Sequence, residues 1–187
     1  TMLSFCVPEC NSLGLALMVA DGSSSSLKAL AKRAAKLDAL IVLENDLYRR
    51  GDKELIDQLL ASGTKVITLD MYENDTLDQS DLVMAAASYA ESQGTLVSSE
   101  GRAQRFYPVH SPAAERLPSW QWLLRLAKIT GHKKLAKLEN FDQIVVACAK
   151  SSPLFAGLVD VAPLNNFSDR GSKIPRQTHR YSGRTAM

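Results

Sequence analysis

Hydrophobic and polar positions follow two different periods in the first half of the chain. Residues 27–37 and 52–62 carry apolar side chains at helical spacing. The runs 38–43 and 65–70 are short and continuously apolar, which is typical of buried parallel strands. Gly63 follows the second helix where a C-terminal cap is expected. This succession predicts right-handed crossovers and an α/β fold, a doubly wound, mainly parallel sheet with helices on both faces.

The pattern before these elements is less regular. Residues 1–11 are apolar without a clear period and end on Asn11, a residue that caps helices. Residues 13–20 are apolar nearly all round, which predicts either a short buried helix or a strand. Residues 21–26 form a loop by composition, and a serine near its end is suited to cap the next helix.

The second half predicts one more strand and further helices. Residues 81–86 indicate a third buried strand, residues 87–92 a helical turn, and residues 95–97 extended structure. After a loop with three prolines, Ser119 is expected to cap a helix over residues 120–129.

Gly131 is expected to end that helix. Residues 133–138 favour a basic helical turn, whereas residues 141–150 are apolar and fit a helix or a strand equally. From Pro163 onward the chain is polar and rich in Gly, Pro, Asn and Arg. We therefore predict an α/β domain over residues 1–162 and a basic, poorly ordered arm over residues 163–187.

Composition adds limits on function. The chain has 187 residues and a net charge of +2, which is too small to argue for nucleic acid or an anionic membrane as partner. It shows no signal peptide and no run of about 18 apolar residues that would span a membrane.

The three cysteines and three histidines predict no metal site. Cys6 and Cys10 form a Cys-x-x-x-Cys pair, but a zinc site or a cluster needs more ligands in tighter runs. Cys148 lies in an apolar run and is expected to be a buried, reduced thiol. No histidine has the spacing of a metal ligand or a nucleophile beside it.

Residues 80–106 carry the most specific motif in the chain. They read S-D-L-V-M-A-A-A-S-Y-A-E-S-Q-G-T-L-V-S-S-E-G-R-A-Q-R-F. This stretch resembles the A-D-V-V-L-P-A-A-x-x-x-E-x-x-G-T-x-x-N-x-E-G-R-x-Q signature of the molybdopterin oxidoreductase superfamily. Within that group it most resembles the large iron–sulfur subunits of bacterial proton-pumping NADH–quinone oxidoreductases, the G subunits. Residues 175–187 are similar to the end of this region in the same subunits, and Asn11-Ser-Leu-Gly14 is similar to the N-S-x-G turn of the family.

The motif residues allow both structural and cofactor-binding interpretations. Asp81 and Glu91 match the first two of the three acids of the signature, and the plainest role of Glu91 is to accept backbone N–H bonds. Ala85 stands where the family has proline, and Ser98 where it has asparagine. Both changes argue against an intact cofactor loop.

The resemblance marks three residues as candidate cofactor contacts. Asp70 ends a predicted strand, where doubly wound folds bind ligands, and could accept hydrogen bonds from the guanine of a dinucleotide cofactor. Glu100 and Arg102 belong to the loop that lies against the pterin in cofactor-bearing relatives, and could instead pair with each other and hold two loops together. We predict no catalytic residue and no metal ligand.

The resemblance implies a scaffold within a redox complex. The chain, which starts at Thr1 and stops within a motif, is expected to be a piece of a longer polypeptide that carries iron–sulfur clusters, while the complex also holds FMN. The expected partners are the rest of its own chain and the other subunits of the peripheral arm, on the cytoplasmic side of the bacterial inner membrane.

Two other functions remain open from the sequence. The chain could belong to a true molybdopterin enzyme of the formate dehydrogenase or nitrate reductase type, or it could be a free-standing nucleotide-binding module.

Overall fold

The computed structural model describes residues 9–19 and 26–160. The α-helices are α1 Ser12–Met18, α2 Leu27–Arg33, α3 Lys53–Leu60, α4 Ser119–Ile129 and α5 Phe141–Ser151. The strands are β1 Ala39–Leu43, β2 Lys65–Asp70, β3 Leu82–Ala85, β4 Gly94–Val97 and β5 Ala103–Phe106. Short 3-10 turns cover Ala34–Lys36, Leu47–Arg49, Leu77–Gln79, Leu135–Lys137 and Pro153–Val159.

The first three strands form a parallel sheet in the order β1-β2-β3. Leu40 stands opposite Val66, and Thr68 stands opposite Val83. An isolated parallel bridge between Ala86 and Leu117 extends the edge beyond β3. The α/β fold with a parallel sheet flanked by helices is therefore confirmed.

The main core lies between the sheet and the α2–α3 pair. Ile56 and Leu59 of α3 are almost fully buried, and they pack in one cluster with Ala34, Val42 and Val66. The predicted helical stripe of residues 52–62 supplies this contact. A positive φ of 84° at Gly63 turns the chain from α3 into β2, as the sequence predicted.

The opposite face of the sheet is only partly covered. Ile41, Ile67 and Leu82 share this face because they lie in register. Ile41 is 46% exposed and Leu82 is 48% exposed, while Leu69 is fully buried. The prediction of buried strands therefore holds for the central strand and is wrong for this face of β1 and for both faces of β3, since Val83 on the other face is also 45% exposed.

A separate β-hairpin, β4–β5, follows the parallel sheet. Thr95 pairs with Arg105 in antiparallel register, and Gly101 closes the turn with a φ of 79°. The sequence predicted the first strand of this hairpin but not the second.

Two residues at helix starts behave differently from the prediction. Asn11 precedes α1 but makes no side-chain cap; its Oδ1 accepts a hydrogen bond from the Val97 amide at 2.9 Å instead. Ser119 is the first residue of α4, with Pro118 at the cap position, and its hydroxyl donates to the Glu44 carboxylate instead of capping the helix. In both cases the side-chain oxygen that could cap the helix forms a hydrogen bond with a residue distant in sequence instead.

Other helix predictions are settled by local contacts. Ser26 caps α2 by accepting from the Ala29 amide at 3.2 Å, as expected. The ambiguous run after Asn140 is a helix, which Asn140 caps through the Gln143 amide. The first apolar run forms α1, but Leu15 and Met18 are more than half exposed, so the predicted burial of that helix is wrong.

Several predictions concern parts of the chain outside the described residues. These are most of the irregular first segment, including Cys6, nearly all of the loop over residues 21–26, and the basic arm over residues 163–187. The boundary at residue 162 also falls there and stays a prediction.

Candidate functional site

An open crevice of about 740 Å³ lies at the carboxyl ends of β1 and β2. The loops that leave these two strands form its walls, and Glu9 and Cys10 complete the lining. Doubly wound folds bind ligands at this edge of the sheet. Asp70, the last residue of β2, lies in the crevice, as the sequence predicted.

The Asp70 carboxylate is engaged by its own loop. Its Oδ1 accepts from the amides of Met71 at 2.7 Å and Tyr72 at 3.2 Å. Its Oδ2 accepts from the Asn74 side-chain amide at 3.0 Å. These contacts stabilise the turn after β2, so most of the hydrogen-bonding capacity of Asp70 is used within its own loop.

A buried threonine joins the two walls of the crevice. Thr76 Oγ1 accepts from the Leu47 amide at 2.8 Å and donates to Asp46 at 2.9 Å. The Thr76 side chain is fully buried. No sequence pattern pointed to this residue, because its partners lie about 30 positions earlier in the chain.

The crevice carries an excess of negative charge. Six carboxylates and two guanidinium groups line it: Glu9, Glu44, Asp46, Asp70, Glu73 and Asp75 against Arg49 and Arg50. Arg50 is already used, because it pairs with Glu9 at 2.5 Å and donates to Asn45 at 2.8 Å. The crevice therefore repels anionic ligands, above all those with a pyrophosphate.

Glu91 is the most fully engaged acid in the motif. Its side chain is 3% exposed. One oxygen accepts from the Ser88 amide and hydroxyl, each at 3.0 Å. The other accepts from the Ala113 amide at 3.2 Å and from Arg116 at 2.8 Å. The prediction that Glu91 binds backbone N–H groups is confirmed.

These contacts hold the charged form of Glu91. The hydrogen bond from the Ser88 amide, with the Ala113 amide and the Arg116 guanidinium, lowers the pKa of the Glu91 carboxyl against the opposing effect of burial. Glu91 thereby fastens the loop before β4 to the proline-containing loop before α4.

Asp81 has a comparable role at the start of β3. It accepts from the Val66 amide at 2.8 Å and from Lys65 at 2.6 Å. The Lys65 ammonium lowers the pKa of the Asp81 carboxyl, and the Val66 amide adds to this effect. The side chain therefore fixes the register between β2 and β3.

Glu100 and Arg102 lie elsewhere, at the tip of the β4–β5 hairpin. Both are exposed, and neither belongs to the crevice lining that includes Asp70. Within the described residues, no ion pair joins these two side chains to each other. The structure thus does not bring the three candidates together in one site, and Ser98 closes the tip by bonding the Arg102 backbone instead.

A buried ion pair attaches the hairpin to α5. Arg105 contacts Asp142 at 2.7 Å, and its side chain is only 5% exposed. Its guanidinium lies 4.7 Å from the centre of the Phe141 ring and donates to Gln93 at 3.2 Å. Sequence reasoning missed this residue, because an arginine in a short strand looks like a solvent-facing position.

An apolar cavity of about 310 Å³ lies between α1, the hairpin and α5. Gly14 of α1 leaves room for the Asn11 side chain, since a Cβ at position 14 would lie 2.1 Å from Asn11 Oδ1. Cys148 also lines the cavity, and it is half-buried rather than buried as the sequence predicted. The burial raises the pKa of its thiol, which disfavours the reactive thiolate.

The described residues show neither a metal centre nor a membrane helix. No cluster of three or more His, Cys, Asp or Glu side chains in these residues has the arrangement of a metal site. Across residues 9–19 and 26–160, every helix is too short or too polar to cross a bilayer.

Comparisons with known proteins assign the chain to a family. The family model for molybdopterin oxidoreductase matches residues 10–129. The G subunit of the NADH-quinone oxidoreductase of Pseudomonas putida is 42% identical over 99% of this chain and 21% of its own length. The same subunit of Shewanella oneidensis is 41% identical over 96% of this chain and 20% of its own. That of Yersinia pestis is 36% identical over 99% and 21%.

The chain spans about a fifth of the length of these curated relatives. The family model begins at the residue before Asn11, the start of the N-S-x-G turn, and ends with α4. It thus includes the parallel sheet, all of the crevice lining except Glu9, and the motif that carries Asp81 and Glu91. The chain belongs to the molybdopterin oxidoreductase family.

Proposed function

We propose that this chain is a structural part of the G subunit of an NADH–quinone oxidoreductase. The proposal is supported by relatives of that name, which are 36% to 43% identical over nearly the whole chain. The complex transfers electrons from NADH to a quinone. Its FMN and the iron–sulfur clusters of the longer polypeptide carry that chemistry, and the residues described above contribute none of it.

The observation that carries this proposal is that the fold itself binds the motif acids Asp81 and Glu91. Asp81 and Glu91, two of the three acids of the family signature, are both bound by the chain's own amides and cations, whereas the third, Glu100, is exposed. A carboxylate held charged in this way is a poor general acid or base at neutral pH. The motif therefore stabilises loops.

The crevice also fits the family's dinucleotide cofactor poorly. A molybdopterin guanine dinucleotide carries phosphates, whereas six carboxylates and two guanidinium groups line this crevice. Asp70, the candidate guanine contact, already accepts three hydrogen bonds from its own turn. We therefore favour the scaffold over a true molybdopterin enzyme or a nucleotide-binding module.

The scaffold has surfaces for its neighbours. The half-exposed face of the sheet, formed by Ile41, Leu43 and Leu82, is suited to contact the rest of the longer polypeptide. We place the assembly on the cytoplasmic side of the bacterial inner membrane, as part of the peripheral arm beside its other subunits.

The composition of the purified assembly tests this function. The longer polypeptide would be tagged and isolated from solubilised membranes, and its partners identified by mass spectrometry. Molybdenum would be measured by elemental analysis and pterin by fluorescence after oxidation. We expect the flavin- and quinone-site subunits without molybdenum or pterin. A chain loaded with molybdenum and lacking those subunits would contradict the proposal.

A further inference from the structure

The carboxyl end of α4 carries a concentration of positive charge. Five cations lie in the second half of α4 and in the residues that follow it: Arg125, Lys128, Lys133, Lys134 and Lys137. No aspartate or glutamate occurs between Glu115 and Glu139. All five side chains are exposed, and we call this surface the basic end of α4. Its charge exceeds the net charge of the whole chain, which is +2.

The backbone gathers these cations into a compact surface. Gly131 takes a φ of 72°, and the His132 amide bonds back to the Ala127 carbonyl at 2.8 Å. The next turn, Leu135–Lys137, then packs against α4, and the Ala136 amide bonds the His132 carbonyl at 3.0 Å. Lysines that follow the helix thus lie beside those within it.

Helix stability alone does not account for this charge. Cations in the last turn are stabilised by the carbonyl groups of the helix end, an effect that falls off within one turn. Lys128 is in that position, whereas Lys133, Lys134 and Lys137 lie beyond it. Within the described residues none of the four lysines forms an ion pair, so the mutual repulsion is not offset there.

An exposed isoleucine belongs to the same segment. Ile129 ends α4 and is 83% exposed, and it lies in the chain between Lys128 and the cations after Gly131. An apolar side chain surrounded by charges that steer association is the usual arrangement of a protein–protein contact. A lipid surface would need an amphipathic face directed outward, but Leu124 and Ala127, the apolar side of α4, are buried.

We propose that the basic end of α4 binds an acidic surface of another protein chain, with Ile129 as its apolar anchor. The acidic surface neutralises the lysines and removes their repulsion, and association is steered by charge. The interaction is therefore weakened by salt, because exposed charges are screened over about 8 Å at physiological ionic strength.

Photo-cross-linking in the intact polypeptide tests this contact. Ile129 would be replaced by p-benzoylphenylalanine in the host cell, with Val109, which is equally exposed, as the control position. We expect position 129 to cross-link to an acid-rich segment of another protein, and position 109 not to cross-link there. A cross-link to lipid, to the same polypeptide or to nothing would overturn the proposal.

Charge reversal separates electrostatic binding from chance contact. The K133E/K134E/K137E variant is expected to lower the cross-link yield at 129 about tenfold or more. The K28E/K32E/K36E variant makes the same change in net charge at exposed lysines of α2 and its following turn, and is expected to leave the yield unchanged. Equal loss in both variants, or no loss in the first, would count against the inference.

Two further measurements keep the outcome decisive. Circular dichroism shows whether the reversed variant is folded, and K133Q/K134Q/K137Q replaces it if it is not, with an intermediate loss expected.

The inference does not depend on the proposed function. A partner outside the oxidoreductase would support this contact, and the composition of the purified assembly would decide the proposed function separately.

Discussion

At the scale of single residues, the acids of this chain differ in how completely the fold uses them. Glu91 is buried and receives four hydrogen bonds, whereas Glu100, in the same motif, is exposed at a hairpin tip. The motif spacing in the sequence does not distinguish the two acids. The contacts in the structure show that Glu91 holds loops together and that Glu100 does not.

Removing the Glu91 charge is expected to destabilise the protein. In Glu91→Gln the side chain can no longer accept at both ends, and Arg116 loses its ionic partner, keeping only its bond to the Ala113 carbonyl. We expect a lower Tm for this variant at neutral pH, measured by circular dichroism. The matched variant Glu100→Gln should melt with the wild type, and a parallel fall in both would show that the contacts of Glu91 are not the cause.

The same residue predicts a pH dependence. Its pKa is lowered in the folded state, so its contribution is complete above the ordinary glutamate pKa and is lost as pH falls through the lowered value. Wild type and Glu91→Gln should therefore differ most near neutral pH and converge in acid. A constant difference in Tm across that acid range would contradict this assignment.

Tyr48 predicts the opposite dependence on pH. Its hydroxyl donates to Asp57 at 2.7 Å, which raises the pKa of Tyr48 from 10.0 to about 12. Because the proton is held more tightly in the folded state, this contribution is complete below pH 10 and is lost as pH rises toward 12.

An ultraviolet titration of tyrosinate in wild type and Tyr48→Phe measures this effect. The difference between the two curves should show a group that ionises late. Tyr72→Phe, at an exposed position, provides the comparison. Ionisation of Tyr48 at its ordinary pKa would show that the bond to Asp57 is absent in solution.

At the scale of elements, Arg105 connects two parts that are separate in sequence. The pair with Asp142 joins β5 to α5, and the Phe141 ring covers the guanidinium. Arg105→Met would leave the carboxylate of Asp142, which is a quarter exposed, without its cation. We expect a loss of about 2–3 kcal/mol, toward the low side of values for buried pairs.

A double variant distinguishes the pair from simple loss of packing. R105M/D142L replaces both charges by apolar side chains and is expected to regain much of the stability lost by Arg105→Met. Chemical denaturation of the three proteins measures this. Additive losses would mean that the two residues act independently.

Elements with regular periodicity could be predicted from the sequence. The α3 stripe, the β2 run and Gly63 indicated their boundaries within one or two residues, because local pattern and tertiary packing agree there. The strand β5 was missed, since its buried arginine depends on Asp142 in a distant helix. The predicted Ser119 cap failed for the same kind of reason, its hydroxyl being taken by Glu44.

The candidate site was predictable only in part. Asp70 lies at the crevice because a parallel strand must end at that edge of the sheet. Its hydrogen bonds to the following turn, and the Thr76 link between the walls, could not be inferred because they require the loop conformations. The negative charge of the crevice arises from two loops that the fold brings together.

At the scale of the whole molecule, charge and apolar surface are unevenly distributed. The crevice at the strand ends is acidic, the end of α4 is basic, and one face of the sheet is half exposed. This distribution fits the proposed scaffold, a part that is surrounded by other protein. The chain spans about a fifth of the length of its relatives.

The most direct test is the turnover of the assembled oxidoreductase per complex. The D70N/E100Q/R102Q variant removes all three candidate cofactor contacts, and Glu91→Gln weakens the fold. We predict that neither variant changes NADH–quinone activity per complex. The amount of complex falls in Glu91→Gln and falls less in the triple variant, which loses only the Asp70–Asn74 bond. Normal assembly of the triple variant with lost activity would contradict the scaffold account.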